Sequence, residues 1–181
     1  ESRAESSASM LRDAIRLIER SKKDLAPFRR MLFFIGDVTC DKHHHFAYAV
    51  KSNRTCASSI RAVPDFTFEH WRDAGVGNFT LEALAMQRAG RKRARAPMVC
   101  GWAGNPHTNA IRLKFLALAK ENNKYLEAHV PPDWHNKFGM RLSSPEMVQK
   151  WGCLVDLPGR GYSGRIPLLL NSNRPLLYVE R

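Results

Sequence analysis

Apolar and polar positions along this chain follow two periods, and the switches between them mark out its elements. Leu11, Ala14, Ile15, Ile18 and Leu25 recur at helical spacing with charges between them, which predicts an amphipathic helix over 9–25. The unbroken apolar run 31–35 reads as a buried strand. A helix over 79–89 carries Leu81, Leu84 and Ala85, and a strand follows over 98–102. Asn105-Pro106 suits a helix start, with Asn as cap and Pro in the first turn. That helix carries Ile111, Phe115 and Leu118 on one face and ends near Asn122-Asn123. A strand over 125–130 is stopped by Pro131-Pro132, and Ser144-Pro145-Glu146 opens a short helix. The series closes with a strand over 152–157, a short helix over 166–170 and a strand over 176–179. Strands alternating with helices imply an α/β fold with parallel sheets of the doubly wound kind.

In such sheets ligands bind beyond the C-terminal ends of strands, near a switch point, and Gly104 and Gly159 both fall at such ends. The more informative of the two is the loop Gly159-Arg160-Gly161-Tyr162-Ser163-Gly164-Arg165, between a strand and a helix. Its glycines let backbone N–H groups approach an anion, the helix N-terminus favours negative charge, and Arg165 adds a forked donor. Three glycines alone fit an ordinary βα turn equally well.

The wider string narrows the choice. Leu154-Val155-Asp156-Leu157-Pro158-Gly159 through Arg165, then Leu168-Leu169-Leu170-Asn171-Ser172-Asn173-Arg174-Pro175, resembles the donor-binding motif of glycosyltransferase family 90. That family contains the Rumi-type protein O-glucosyltransferases and the capsule-associated xylosyltransferases. Val99-Cys100-Gly101-Trp102-Ala103-Gly104-Asn105, followed by Arg112, is similar to the family's aromatic-x-Gly strand end with an arginine on the next helix. Phe33-Phe34-Ile35-Gly36-Asp37, then Pro64-Asp65-Phe66-Thr67-Phe68 and Trp71, resembles its upstream strand and a later Pro-x-aromatic segment. The match spans 10–181.

The resemblance implies a GT-B-like fold of two Rossmann-like halves with parallel sheets, both incomplete in this chain. Residues 1–90 would be part of the acceptor-side lobe and 91–181 part of the nucleotide-sugar-binding lobe. It implies transfer of a sugar of the glucose or xylose class from a nucleotide diphosphate donor, expected to be uridine-linked, to a hydroxyl of a protein or glycan. The donor would be held by Trp102, Gly104, Arg112, Gly159, Gly161, Tyr162, Ser163, Gly164 and Arg165. The base would be Asp37, with Asp65 as runner-up. Pro167 departs from the family, whose members often carry lysine there. The family's downstream segment, which completes the donor pocket, is absent from the chain.

Charge and composition add rivals. The 181 residues carry 29 Lys and Arg against 17 Asp and Glu, a net charge of +12 that attracts anions. Much of it sits at Arg88, Arg91, Lys92, Arg93 and Arg95, a run that reads either as a nucleic-acid or membrane-surface patch or as a solvated linker between lobes. No aromatic residue interleaves the run, so nucleic acid is not the expected partner. A dinucleotide enzyme would need GxGxxG after the first strand and an acidic residue about 20 positions on, which this late loop lacks. There is no Asp-x-Asp pair, so the expectation is metal-independent transfer with no cofactor besides the donor. Cys40, Asp41, His43, His44 and His45 could ligate a metal but lack a second pair to complete a shell, which leaves a polar loop as the alternative.

Cys100 and Cys153 lie in apolar runs and read as buried thiols, whereas Cys40 and Cys56 flank a polar loop and are able to pair in an oxidising compartment. The sequons at Asn53 and Asn78 point the same way, toward an endoplasmic reticulum or Golgi lumen in a eukaryote. No apolar run approaches the ~20 residues of a membrane span. A membrane association would therefore rest on segments outside the chain, which opens on Glu1 and is expected to be part of a longer protein.

Overall fold

The computed structural model describes residues 2–21, 33–35, 46–48, 60–71, 74–131, 142–159 and 163–180. They fall into two compact units, Glu1–Asn78 and Phe79–Arg181.

The first unit opens with helix α1 (Ser2–Arg20), which begins seven residues before the predicted start. Its N-terminal part is held by hydroxyls: Ser6 Oγ donates to the His70 carbonyl at 2.9 Å, Ser7 Oγ bonds the Tyr48 hydroxyl, and Ser9 Oγ donates to Glu69 at 3.2 Å. Ser6 and Ser7 are buried while Leu11, Ile15 and Leu17 are exposed, so the polar start of the helix is covered and the apolar stripe faces outward. Three short parallel strands, β1 (Phe33–Phe34), β2 (Phe46–Ala47) and β3 (Arg61–Ala62), form a sheet in that order. Asp65 caps the 3-10 turn Phe66–Phe68, its Oδ1 accepting from the Thr67 N–H at 2.7 Å.

The second unit contains α2 (Phe79–Gly90), β4 (Ala96–Ala103), α3 (Ala110–Glu121), β5 (Leu126–His129), α4 (Ser144–Lys150), β6 (Trp151–Asp156), α5 (Ile166–Leu169) and β7 (Leu176–Tyr178). Its sheet runs β5-β4-β6-β7 and is parallel throughout, a Rossmann-like α/β arrangement. The chain leaves β4 on one side to make β5, then crosses back to make β6 and β7 on the other. Right-handed crossovers in opposite directions put α3 and α4 on opposite faces, and the reversal makes the boundary between β4 and β6 the switch point. α2 packs on α4 and α5, so it belongs with this unit.

Local signals explain the helix starts. Asn105 caps only the 3-10 turn Pro106–Thr108, and Asn109 caps α3 itself by accepting from the Ile111 N–H at 2.9 Å. The predicted start therefore lands one cap too early. Ser143 and Glu146 form a reciprocal capping box at the head of α4.

Under α3 the core gathers Trp102, Val155 and Leu157, with Ile111, Phe115 and Ala128 against them. Elsewhere the buried Trp151 lies over Gly101, where a Cβ would stand 1.8 Å from the indole. Only glycine fits there. The indole then reaches across β4 to donate from Nε1 to Glu127 on β5 at 2.8 Å. Cys100 and Cys153 face each other in the β4–β6 register and form a disulfide, Cα atoms 4.3 Å apart, which corrects the reading of two free thiols. The suggested Cys40–Cys56 pair lies outside the described residues.

Candidate functional site

The loops leaving β4 and β6 meet at the switch point. β6 is almost wholly apolar and buried, yet ends on Asp156, which is fully buried. A carboxylate in that position needs partners. Ser163 Oγ donates to Asp156 Oδ1 at 2.7 Å, so the far end of the glycine loop is tied back to the strand that launched it. Arg165 follows and donates from one guanidinium nitrogen to the Ala103 carbonyl, the last residue of β4. Burial pushes its guanidinium below the ordinary arginine value, and the charge of Asp156 opposes that shift. Among the described residues, Ala103 is the only protein acceptor of Arg165.

Arg112 sits differently. On the first turn of α3 it donates from Nε to the Pro158 carbonyl at 2.8 Å, from one terminal nitrogen to the Asn105 carbonyl at 2.8 Å, and from the other to Leu157 at 3.3 Å. It also lies 5.4 Å above the Trp102 ring. Asn109 Nδ2 adds a bond to the Gly159 carbonyl at 3.1 Å. The guanidinium expected to clamp phosphate is thus engaged in clasping the two strand-end loops together. Trp102 supports it from below: it is fully buried, packs edge-on against Phe115, and offers no open face for stacking. Gly104 lies against that indole, where a Cβ would meet a ring carbon at 2.6 Å, and its N–H donates to the His129 carbonyl at 3.1 Å.

Of the sequence-predicted donor residues, Trp102, Gly104, Arg112, Gly159, Ser163, Gly164 and Arg165 all belong to these two loops or their immediate supports. Gly161, Tyr162 and Asp37 lie outside the described residues, as does the cluster 40–45. Asp65 is a turn cap, which fits a structural role. Helix α5 is a single turn with Pro167 near its start, so its dipole is small. Three contributors went unassigned in the sequence: Asp156, Asn105 and Asn109. Asp156 had a visible signal, a charge terminating a buried apolar strand. Among the described residues no group of three or more His, Cys, Asp or Glu side chains is placed to hold a metal.

Comparison with family models, with curated proteins and with solved structures gives no match.

Proposed function

We propose that the second unit is the nucleotide-sugar-binding half of a GT-B-type glycosyltransferase related to family 90. The observation that carries this reading is the placement of Gly104 after β4 and of Gly159 and Ser163–Arg165 after β6 at the switch point of a parallel sheet, with Arg165 bonded to the end of β4. A nucleotide diphosphate sugar, uridine-linked, is the proposed donor. Its diphosphate takes N–H groups of the glycine loop and the guanidinium of Arg165, without a metal, while Ser163 and Asp156 fix the loop.

Transfer is a displacement at the anomeric carbon. The oxygen of a protein or glycan hydroxyl forms the new bond, the bond to the phosphate oxygen breaks, and the diphosphate leaves with the electron pair. Asp37 is the proposed acceptor of the hydroxyl proton. Arg165 stabilises the charge that grows on the leaving group. Arg112 acts through the loops it clasps. The Cys100–Cys153 bond supports a lumenal, oxidising setting for this chemistry.

Calorimetric titration of the chain with uridine diphosphate, with a dinucleotide and with a DNA oligomer tests the proposal. Saturable binding of uridine diphosphate in preference to the other two is expected. Preference for the dinucleotide or the oligomer would replace the reading with one of its rivals.

A further inference from the structure

The cationic run that the sequence singled out takes no part in the site above. It covers the end of α2 and the turn into β4, and so lies at the N-terminal edge of the sheet. The eight residues of β4 separate it from the glycine loops by roughly 25 Å. Arg88, Arg91, Lys92, Arg93 and Arg95 are all exposed. Arg95 has the carboxylate of Glu146 nearby, whereas the other four have no ion-pair partner among the described residues.

Cations at a helix C-terminus commonly serve the unsatisfied carbonyls of the last turn. Here two other residues serve them. Arg174 donates to the carbonyls of Gly90 at 3.1 Å, Lys92 at 2.6 Å and Val148 at 3.2 Å, and Asn173 Nδ2 donates to the Gln87 carbonyl at 3.3 Å. The turn is fixed from the inside, and its four outward cations are left to solvent.

Beside them runs a groove of about 240 Å³ between α2 and α4. Ala85, Ala89 and Pro145 line it together with Arg88, Lys92 and Gln149. Along α2, exposed Leu81 and Leu84 lead toward Arg88 at helical spacing.

We infer that this edge docks an acidic polypeptide segment that carries an apolar anchor residue. The small-residue lining takes the anchor, and the surrounding cations take flanking carboxylates. A groove of this size suits a side chain better than a bilayer surface, and the lack of aromatics in the run disfavours stacked bases.

The test is fluorescence anisotropy with a labelled Glu-rich peptide carrying one leucine, measured on the intact disulfide-bonded chain. The same peptide with serine for leucine, a single-stranded oligonucleotide and phosphatidylserine vesicles are compared. Replacing Arg88→Glu together with Lys92→Glu should weaken the leucine peptide by at least about tenfold, the serine peptide should bind less tightly, and salt should weaken both. Arg88→Gln with Lys92→Gln, which removes charge with little change of shape, should give an intermediate loss. Uridine diphosphate binding should be unchanged in both variants. Peptide affinity unaffected by these substitutions, or an oligonucleotide or vesicle bound as tightly as the peptide, would overturn the inference.

Discussion

Replacing Arg112 with alanine removes the clasp between the two strand-end loops, and the cost can be worked from its contacts. Two bonds from a charged donor, each 2.8 Å long, join it to the carbonyls of Pro158 and Asn105, and a third reaches Leu157 at 3.3 Å. Such a bond contributes about 1.5–3 kcal/mol when well formed. Arg112 is half-buried, so the lower figure applies to the two short bonds and less to the long one. Its position over Trp102 adds about 0.5–1 kcal/mol. Water can reach part of the vacated carbonyls and returns some of that sum. The expected destabilisation is about 3 kcal/mol. Arg112→Lys should recover less than half, because one ammonium cannot serve three carbonyls arranged around a fork. Urea unfolding followed by the fluorescence of the buried Trp102 and Trp151 measures the loss. Amide exchange should accelerate selectively in 105–112 and 157–159. A loss below about 1 kcal/mol with unchanged exchange would refute the clasp.

Further consequences follow from the same contacts. Cys100→Ser with Cys153→Ser should cost about 2–4 kcal/mol, because the bond closes a chain separation of 53 residues; thermal unfolding with and without reductant measures it. Under the proposed function, Asp37→Asn should lower sugar transfer by about 10²–10⁴-fold while leaving donor affinity near normal, whereas Asp65→Asn should act mainly on stability. Burial raises the pKa of Glu127, but bonds from Lys150 and Trp151 outweigh it; Glu146, bonded by the Ser143 backbone N–H, is likewise held below the ordinary glutamate value. Both carboxylates therefore stabilise the fold above about pH 4.3, and that contribution disappears as pH falls through their lowered values. Glu127→Gln should flatten the acid limb of a stability–pH curve, and an unchanged limb would count against this assignment.

β6 was legible because a central parallel strand reads as an unbroken apolar run, here from Trp151 to Val155. The start of α3 was read four residues early because Asn105-Pro106 and Asn109 carry the same capping signal, and only the backbone shows which one opens the α-helix. The stripe of Leu11 and Ile15 gave the existence of α1 but not its orientation, since buried hydroxyls at Ser6 and Ser7 decide what is covered. The disulfide depends on strand order. Cys100 and Cys153 become neighbours only because β6 returns to pair with β4. The glycine loop and Arg165 were visible as a motif. No pattern of residue types reveals that the Arg112 fork is spent on carbonyls, or that Trp102 has no exposed face.

The central claim, that Arg165 and the loop before it bind a nucleotide diphosphate, is tested most directly by titrating uridine diphosphate calorimetrically into the chain and its Arg165→Ala and Arg165→Lys variants. Alanine should weaken binding by about 1.5–3 kcal/mol, the scale of a hydrogen bond to a charged group, and lysine should restore only part of it. Equal affinity in the parent chain and the alanine variant, with the fold intact, would contradict the account.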